Sequence, residues 1–568
     1  MEKKMAATFP PVTDLRSGFN PASRTFHSLK PPLLLPPPNA AISAASYVLF
    51  LRRNSHFPDS STAVVDSANG HSLSYGELIH RAENLAANLA TVLKLSKAHT
   101  ALVLSPNIIQ VPILCFALLS LGVVVSPANP LSTRSEITRL FHLSKPAIVF
   151  AVTSNAEKTH EFHVRTVLLD SPEFDSLTRT KIQPLSPIAS PTPVTQSDVA
   201  AILYSSGTTG KMKGVMLTHR NLTAVAAGYD TVRTKRAEPA VYLYTVPYFH
   251  VYGFTFSLGA MVLSDTVVIM ERFSFRGMLS AAERFRVTHI TVVPALVVAM
   301  TKDKVIDGYN LTSLEGIVCG GAPLRKETDE AFKAKFPKVL VMQADIWPTN
   351  QFVWWLAKSA GLFSELGYGL TESVVTRTTP EEANHVGTVG RLKPDIEAKV
   401  VNPQTGKLMF PGEKGELWIK GPYVMKGYVD DREATSATLV NGWLRTGDLC
   451  YFDNDGFLYI VDRLKELIKY KGYQVAPAEL EELLLSHPDI LDAAVIPYPD
   501  NEAGEVPMAF VVRQPQSSLG VAQVIDFVAK QVTPYKKVRR VAFVDSIPKN
   551  ASGKILRKDL RKVALSKL

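Results

Sequence analysis

Cysteine is scarce in this sequence. Only three of its 568 residues are cysteines, and these, Cys115, Cys319 and Cys450, lie far apart. A disulfide framework needs an even set of cysteines and a structural zinc site needs closely spaced pairs, so the sequence disfavours both. The scarcity is typical of a protein from a reducing compartment.

Neither sign of charge dominates the chain. The 62 lysines and arginines exceed the 52 aspartates and glutamates by ten, and they are spread along the sequence with some excess towards its carboxyl end. A nucleic-acid-binding protein would concentrate such charge on one face. With 46% hydrophobic residues the composition is that of a globular protein, and no nucleic-acid partner is expected.

Long apolar runs are also nearly absent. The one candidate, residues 108–125, is interrupted by Gln110, Pro112 and Gly122. It therefore predicts a buried helix that leads into a buried strand, and no transmembrane segment. The amino-terminal region contains Glu2 and has no continuous apolar stretch, which argues against a secretory signal.

The sequence does show a regular alternation of amphipathic helices and short β-branched runs. Runs such as "TALVLS" and "AIVFAV" follow helix-like segments, which predicts an α/β fold with layers around mainly parallel sheets. After about residue 380, glycine and proline punctuate strand-like segments, as in a small β subdomain. The last part of the chain predicts a compact α+β unit with a helix that begins near Pro477.

These changes in sequence pattern divide the chain into three predicted parts. Residues 1–45, rich in proline and leucine near their end, are an extended lead-in. Residues 46–463 form a large domain of α/β sheet subdomains with the small β subdomain, and residues 464–568 form a small α+β domain. The junction is expected close to Arg463 and Lys465.

The stretch "YSSGTTGKMKGVM", residues 204–216, is dense in glycine, hydroxyl and basic side chains. It is not a Walker A loop, because Met212 stands where the second glycine is required, and its glycine spacing does not match a dinucleotide fingerprint. Glycines let consecutive N–H groups turn towards one concavity, and a lysine adds a mobile cation. The stretch therefore predicts a phosphate-binding loop, for which a plain surface turn is a poor alternative.

This loop and six further segments together resemble the adenylate-forming enzymes: acyl-CoA synthetases, coumarate-CoA ligases, luciferases and peptide-synthetase adenylation domains. The segments occur in that family's order and span nearly the whole chain: "PYFHVYG" (247–253), "CGGAPLR" (319–325), "GYGLTES" (367–373), "GWLRTGDL" (442–449), "VDRLKELIKYKGYQVAPAELE" (461–481) and "IPKNASGKILRK" (547–558). Plant coumarate-CoA ligase-like proteins resemble the chain most. The resemblance implies ATP-dependent formation of an acyl-adenylate, transfer of the acyl group to coenzyme A, and a small carboxyl-terminal domain that is mobile between the two reactions.

The resemblance also implies residue roles. Three residues match catalytic or hinge positions: Lys554 against the carboxylate and α-phosphate, His250 as a gate between the acyl and thiol channels, and Lys465 at the hinge. The positions implied for ATP and AMP are Ser205, Ser206, Gly207, Thr208, Thr209, Lys213, Gly320, Gly321, Gly367, Thr371, Asp448, Arg463, Lys465, Lys469 and Lys554. Glu372 matches the Mg²⁺ ligand, and Arg272, Lys471 and Gly472 match the coenzyme A path. Lys211 and Met212 depart from the family's common Leu-Pro.

The acyl pocket departs further from the coumarate ligases. The positions implied for the substrate are Tyr252, Thr255, Phe256, Val318 and Gly321. Val318 stands where those ligases carry a lysine, Thr255 where they carry an asparagine, and Phe256 where they carry a small residue. A site built around a substrate hydroxyl needs polar partners. We therefore expect a more apolar acid: a fatty acid, a jasmonate precursor or another oxylipin, or a cinnamate that lacks ring hydroxyls.

Residues 344–366 do not fit the family. They separate "VMQ" from "GYGLTES", which the family joins directly, and they hold three of the five tryptophans, Trp347, Trp354 and Trp355. Insertions normally occur at surface loop tips, because an interruption of packed backbone leaves polar groups unsatisfied. The segment is either retained intron sequence or a genuine loop that bulges outward, and a rigid insertion would put activity in doubt.

Three hypotheses follow for the function: a peroxisomal acid–CoA ligase, a luciferase-like oxygenase of the same architecture, and a nucleotide-binding relative impaired by the insertion. The intact Lys213, Glu372, Asp448 and Lys554 argue against the third. A peroxisomal location, with the import receptor as partner, is expected because the printed sequence finishes with Ser566-Lys567-Leu568.

Overall fold

The computed structural model describes most of the chain. The described residues are 13–181, 193–206, 212–233, 235–319, 326–343, 367–377, 382, 385, 388–471, 473–500, 502–549 and 555–566.

The α-helices in this part of the chain, numbered in chain order, are α1 (Ala44–Arg52), α2 (Tyr75–Thr91), α3 (Gln110–Leu121), α4 (Arg134–Ser144), α5 (Pro172–Arg179), α6 (His219–Asp230), α7 (Val251–Leu263), α8 (Phe275–Arg284), α9 (Pro294–Lys302), α10 (Lys326–Lys335), α11 (Arg432–Thr438), α12 (Pro477–Leu485), α13 (Val521–Ala529) and α14 (Arg557–Ser566). Short 3₁₀ helices cover Thr153–Thr159, Lys304–Gly308 and Pro534–Lys536.

The β-strands, numbered in the same way, are β1 (Phe19–Asn20), β2 (Thr25–His27), β3 (Thr62–Asp66), β4 (Ser72–Ser74), β5 (Thr100–Leu104), β6 (Val124–Ala128), β7 (Ile148–Ala151), β8 (Arg165–Leu168), β9 (Val199–Ser206), β10 (Met212–Thr218), β11 (Val241–Tyr244), β12 (Thr266–Ile269), β13 (His289–Val292), β14 (Gly316–Cys319), β15 (Leu340–Gln343), β16 (Gly369–Leu370), β17 (Ser373–Val374), β18 (Thr376–Arg377), β19 (Arg391–Leu392), β20 (Glu397–Val401), β21 (Gly415–Lys420), β22 (Gly427–Tyr428), β23 (Leu439–Val440), β24 (Trp443–Phe452), β25 (Leu458–Arg463), β26 (Ile468–Tyr470), β27 (Tyr473–Val475), β28 (Ile490–Asp500), β29 (Gly504–Arg513) and β30 (Arg540–Phe543).

Two seven-stranded sheets carry most of the parallel pairing. One has the order β15-β14-β13-β11-β12-β3-β4, in which only the edge pair β3–β4 is antiparallel. The other has the order β22-β10-β9-β6-β5-β7-β8, in which β6, β5, β7 and β8 are parallel and β10 turns back against β9. In such sheets ligands bind beyond the carboxyl ends of the strands. The strand pairing in these two sheets confirms the predicted α/β layers around mainly parallel sheets.

Helices join the two sheets through one large core. α2 begins with a capping box of Ser74 and Glu77, and its buried residues Leu78, Leu85 and Leu89 share one face. The apolar run at 108–125 forms α3, which ends at a left-handed Gly122, followed by β6. It is the predicted buried helix and strand. No helix in the described ranges is both long enough and apolar enough to cross a membrane.

A third sheet is antiparallel and matches the predicted small β subdomain. Its order is β1-β2-β20-β21-β24-β23, and β25 pairs with β24. The two short strands β1 and β2 come from the segment predicted as a lead-in. Phe26 of β2 is 1% exposed and stacks on Phe452 of β24 with ring centroids 4.1 Å apart. The amino-terminal segment is thus part of the core of this sheet.

The small carboxyl-terminal unit, defined here as described residues from 464 to 566, has its own sheet. Its order is β27-β26-β29-β28, with β30 parallel to β29. Apolar residues cover both faces: Leu480 and Val524 of α12 and α13 pack on one side, and Leu560 of α14 on the other. Because both faces are buried, β28 and β29 read as almost continuous apolar runs. The predicted fold class, a large α/β part followed by a small α+β part, is confirmed.

Candidate active site

The predicted phosphate loop is carried by the β9–β10 hairpin. β9 ends at Ser206, β10 begins at Met212, and the register places Ser205 opposite Lys213. Residues directly opposite each other in an antiparallel pair project from the same face. A hydroxyl and an ammonium group therefore flank the base of the loop together.

A tyrosine connects Lys213 to Glu372. Tyr428 lies on β22, beside β10, and its hydroxyl donates to Oε1 of Glu372 at 3.0 Å. The Lys213 ammonium lies over the Tyr428 ring, 4.4 Å from its centroid, and the Ser205 hydroxyl reaches the same carboxylate oxygen at 3.5 Å. Burial, reinforced by Glu372, raises the pKa of Tyr428 well above its ordinary value, so its hydroxyl keeps its proton and donates.

The Glu372 carboxylate fits a magnesium ion that is held mainly by phosphate. Glu372 and Thr371 form the turn between β16 and β17, and the Met425 N–H donates to the Glu372 carbonyl at 2.9 Å. Mg²⁺ typically takes one or two carboxylates together with substrate phosphates. In the part of the chain that is described, no group of three or more His, Cys, Asp and Glu side chains could hold a metal by itself.

The second carboxylate of the candidate site is that of Asp448, which is buried. Asp448 of β24 is 1% exposed and stands opposite Arg463 of β25. Arg463 Nε lies 3.3 Å from Asp448 Oδ1, and the Tyr368 hydroxyl donates to Oδ2. Burial and the neighbouring Asp448 charge raise the pKa of Tyr368 well above its ordinary value, so the phenol stays a donor. The carboxylate is fixed by partners on both oxygens.

Both flanks of the predicted insertion at 344–366 lie in packed backbone. Before it, β15 runs to Gln343 in register with β14. After it, a Cβ atom added at Gly367 would lie only 2.6 Å from the carbonyl oxygen of Thr376, so the chain requires glycine there. The Tyr368 N–H donates to Oγ1 of Thr376 at 2.8 Å, and the Tyr368 hydroxyl donates to Asp448.

Aromatic rings surround Phe256 on α7. Its ring centroid lies 5.0 Å from that of Tyr242, 5.3 Å from Tyr244, 6.0 Å from Tyr252 and 6.3 Å from Tyr229. Phe256 is 6% exposed. Tilted and edge-on ring pairs at these separations are favourable. Packed aromatic rings therefore surround Phe256 on the side of the site predicted for the acyl group.

Tyr252 contacts two other predicted substrate positions, Phe256 and Val318. The Tyr252 hydroxyl lies 3.4 Å from the carbonyl oxygen of Val318, which is buried on β14. Thr255 is different, because its hydroxyl donates to the Val251 carbonyl one turn back at 2.7 Å. Such a bond uses the hydroxyl within the helix, so Thr255 offers the pocket little polarity.

His250 begins α7. It is the N-cap residue, and its Nδ1 accepts the Tyr252 N–H at 3.2 Å. Burial lowers the pKa of His250, so the ring is neutral near pH 7. With Nδ1 as the acceptor, the proton of the neutral ring lies on Nε2. The histidine holds the helix that carries Tyr252 and Phe256.

The remaining predicted site residues that the structure describes have exposed side chains. Lys465 follows β25, and Lys469 and Lys471 lie in and just after β26. The Lys469 N–H donates to Oε2 of Glu505 at 2.8 Å, and Lys471 has a left-handed backbone with φ of 44°. Arg272 lies exposed in the turn between β12 and α8. Their roles stay predictions.

Several predicted positions lie outside the described residues. These are Gly207, Thr208, Thr209, Gly320, Gly321, Gly472, Lys554 and residues 344–366, together with Lys567 and Leu568.

Two tyrosines of the candidate site, Tyr368 and Tyr428, were not selected by sequence reasoning. Tyr368 lies inside the "GYGLTES" segment, and its membership of that motif was the only available signal. Tyr428 lies in "MKGYV", far along the chain from Lys213. Only the pairing of β22 with β10 brings the two together.

Comparison with known proteins places this geometry in context. The family described as AMP-binding enzyme matches residues 50–429, and the family described as AMP-binding enzyme C-terminal domain matches residues 479–554. Among curated proteins, 4-coumarate--CoA ligase-like 9 of Arabidopsis thaliana is 47% identical over 98% of this chain and 97% of its own. Peroxisomal OPC-8:0-CoA ligase 1 of the same plant is 42% identical over 97% of this chain and 98% of its own.

Solved structures show the same architecture. ATP-bound MatB from Rhodopseudomonas palustris superposes with a TM-score of 0.77 at 26% identity, over 92% of this chain and 99% of its own. The o-succinylbenzoate CoA synthetase from Bacillus subtilis, in complex with its acyl-adenylate intermediate, gives a TM-score of 0.72 at 26% identity, over 91% and 97% of the two chains.

Proposed function

Because this chain belongs to the AMP-binding enzyme family and is an AMP-forming acyl-CoA synthetase, we propose that it activates an apolar carboxylic acid with ATP and passes it to coenzyme A. In the first half-reaction a carboxylate oxygen bonds to the α-phosphorus of ATP, and the bond to pyrophosphate breaks. In the second, the sulfur of coenzyme A loses its proton and bonds to the acyl carbon, and AMP leaves.

The proposed phosphate site is built on the β9–β10 hairpin. Ser205, Ser206, Gly207, Thr208 and Thr209 supply hydroxyl and N–H donors, and Lys213 supplies a positive charge to the β- and γ-phosphates. The cation–π contact between Lys213 and Tyr428 supports this role, because it holds the ammonium beside Glu372.

Thr371 is proposed to contact the α-phosphate from its turn next to Glu372. A magnesium ion held by Glu372 would neutralise phosphate charge while the acid approaches. The Tyr428 hydroxyl orients this carboxylate by donating to one of its oxygens.

The proposed ribose site is Asp448. A carboxylate has about four lone-pair positions, so Asp448 can accept ribose hydroxyls while it keeps Arg463 and Tyr368. These partners fix the direction of the carboxylate before the nucleotide arrives, which lowers the ordering cost of binding.

The proposed acid site lies between α7 and β14. We propose that the Lys554 ammonium stabilises the negative charge that builds up between the carboxylate and the α-phosphate. We propose that His250 is the gate between the acid and the thiol. A neutral His250 suits the gate, since it adds no charge beside the acyl group.

The observation that carries the choice of an apolar acid is the set of side chains packed between α7 and β14. Phe256 is enclosed by four tyrosine rings, Val318 is aliphatic, and the Thr255 hydroxyl is used by its own helix. These features support a fatty acid, a jasmonate precursor or another oxylipin, or a cinnamate without ring hydroxyls. The names of the relatives, 4-coumarate--CoA ligase-like and OPC-8:0-CoA ligase, support a carboxylic acid–CoA ligase, and the choice among acids rests on these side chains.

The test is a thioester assay with ATP, Mg²⁺, coenzyme A and a panel of fatty, oxylipin and cinnamic acids. We expect kcat/KM for unsubstituted or aliphatic acids to exceed that for 4-hydroxycinnamate. A clear preference for the hydroxylated ring would overturn the substrate proposal but leave the ligase chemistry intact. Oxygen uptake or light emission with the acyl-adenylate would instead support the luciferase-like alternative.

The role of residues 344–366 needs a paired assay. A variant that joins Gln343 directly to Gly367 is compared with the full chain in the same thioester assay. We expect the shortened variant to be at least as active, because both flanks already lie in packed backbone. An inactive shortened variant beside an active full chain would identify the segment as a necessary part of the enzyme.

We further propose a peroxisomal location. The Ser566-Lys567-Leu568 tripeptide and the name of the peroxisomal relative support it. A fluorescent protein fused to the amino end is expected in peroxisomes, and deletion of the tripeptide is expected to leave it in the cytosol.

A further inference from the structure

One carboxylate reaches across the predicted hinge. Asp462 is the second-to-last residue of β25, on the large side of the junction at Lys465. Its Oδ2 accepts the N–H of Ala478, which lies in the small carboxyl-terminal unit, at 3.1 Å. Its Oδ1 accepts the N–H of Arg463 at 2.6 Å. Asp462 is only 9% exposed, so water competes little for these bonds.

The contact supplies a cap that α12 lacks in its own sequence. The N-cap residue, Ala476, makes no side-chain hydrogen bond, and the next residue, Pro477, has no N–H. The first N–H that needs a partner is therefore that of Ala478. A carboxylate at this point satisfies it and interacts favourably with the helix dipole.

α12 is tied rigidly to the rest of the small unit. Glu481 of α12 is 8% exposed and receives two hydrogen bonds from Arg557 at 2.7 and 2.8 Å. Arg557 also pairs with Glu466, directly after the hinge, and donates to the Val495 carbonyl of β28 at 3.2 Å. An arginine buried with two carboxylates is costly to separate.

Arg557 begins α14, three residues after Lys554 in the sequence. The described chain on both sides of Lys554 is pinned, because the Leu556 N–H donates to the Pro548 carbonyl at 2.8 Å. A chain of contacts thus runs from Asp462 through α12, Glu481 and Arg557 to the described residues on either side of Lys554 in the sequence.

We propose that Asp462 is a positioning residue that caps α12 in the domain orientation described here and loses that bond when the small unit rotates. The proposal rests on the proposed function, in which the two half-reactions need different orientations of this unit. Asp462 then sets the balance between them, since it stabilises one orientation and not the other.

The test compares the two half-reactions in Asp462→Asn. Asparagine has one carbonyl oxygen, so it can accept only one of the two N–H groups and would turn its amide donors towards the other. We expect pyrophosphate release without coenzyme A, and thioester formation from preformed acyl-adenylate, to change in opposite directions. The ratio of the two rates should change about fivefold, as expected for the loss of one cap.

The control variants separate positioning from simple stability. Asp453→Asn removes a carboxylate that caps N–H groups within the β24–β25 turn and has no hydrogen bond or ion pair with α12 among the described residues. It should leave the ratio unchanged. Ala476→Ser adds a cap from inside the small unit, so in the Asp462→Asn background it should restore the melting temperature but not the ratio.

Two results would overturn the proposal: both half-reactions falling together in Asp462→Asn, or Ala476→Ser restoring the ratio as well as the melting temperature. Either would show that Asp462 only stabilises the helix. Failure of the wild-type protein to form an adenylate with any acid is a separate outcome, which refutes the proposed function itself.

Discussion

The two sides of the candidate site are held by different forces. On the nucleotide side, Asp448 and Glu372 are fixed by hydrogen bonds and ion pairs, each of which depends on one atom. On the acyl side, Phe256 packs against four tyrosine rings, so its contacts are distributed over several side chains. A single substitution should therefore damage the nucleotide side severely, whereas on the acyl side it should mainly change which acid is accepted.

The largest effect is expected for Lys554→Ala. Loss of the ammonium group should lower pyrophosphate formation by at least about a hundredfold, because charge stabilisation in the transition state is typically worth that much. Thioester formation from preformed adenylate should be nearly unchanged. The measurement is the two half-reactions assayed separately, and undiminished pyrophosphate release would contradict the assigned role.

Asp448→Asn should come next. Arg463 and Tyr368 would keep a partner of the same shape but lose its charge, and ribose hydroxyls would lose an acceptor. We expect kcat/KM for ATP to fall by about 30- to 100-fold, with KM for the acid little changed. A rise in KM for the acid as large as the fall in kcat/KM for ATP would show that the damage is not confined to the nucleotide side.

Tyr428→Phe tests the link between Lys213 and Glu372. The ring remains under the ammonium, and only the hydroxyl that donates to Glu372 is lost. A hydrogen bond to a charged group typically contributes about 1.5 to 3 kcal/mol, so we expect about a tenfold fall in adenylation and a higher Mg²⁺ requirement. A titration of rate against Mg²⁺ measures both, and an unchanged curve would separate Tyr428 from the metal site.

Phe256→Leu tests the acyl side. The smaller side chain enlarges the pocket while it keeps the site apolar. We expect selectivity between a bulkier and a smaller acid to change by about tenfold, with KM for ATP unchanged. A loss of ATP affinity comparable to that of Asp448→Asn would show that the acyl side and the nucleotide side do not respond independently to substitution.

The smallest effect concerns pH. Burial, as the main cause, raises the pKa of Asp462 to about 6. The charged groups that face Asp462 are Arg557, which favours the ionised form, and Glu481, which opposes it. Above pH 6 the ionised carboxylate can accept both N–H groups. Below pH 6 the protonated acid has one oxygen as a donor, so the cap weakens.

We therefore expect the ratio of the half-reactions to change by a few-fold between pH 7 and pH 5, towards the value of Asp462→Asn. Because the folded-state pKa lies above the ordinary value of 3.8, ionisation of this group also lowers stability as the pH rises from about 4 to 6. In Asp462→Asn the pH dependence of the ratio should be absent.

Local patterns predicted much of this fold. The run at 108–125 forms α3 and β6, with Gln110 at the start of the helix and Gly122 at its end, and the helix beginning at Pro477 followed from its proline and acidic first turn. Contacts between distant segments could not be read in the same way. The Tyr428–Glu372 bond depends on the pairing of β22 with β10, and the cap from Asp462 depends on how two separate units meet.

The amino-terminal strands have a consequence for biosynthesis. Phe19 and Phe26 find their place only when β2 pairs with β20, roughly 370 residues further along the chain. At about 5 to 20 residues per second, a ribosome needs on the order of tens of seconds to supply that partner. For this time the β1–β2 hairpin of the nascent polypeptide lacks its partner strand, and its phenylalanine side chains have no core to pack against.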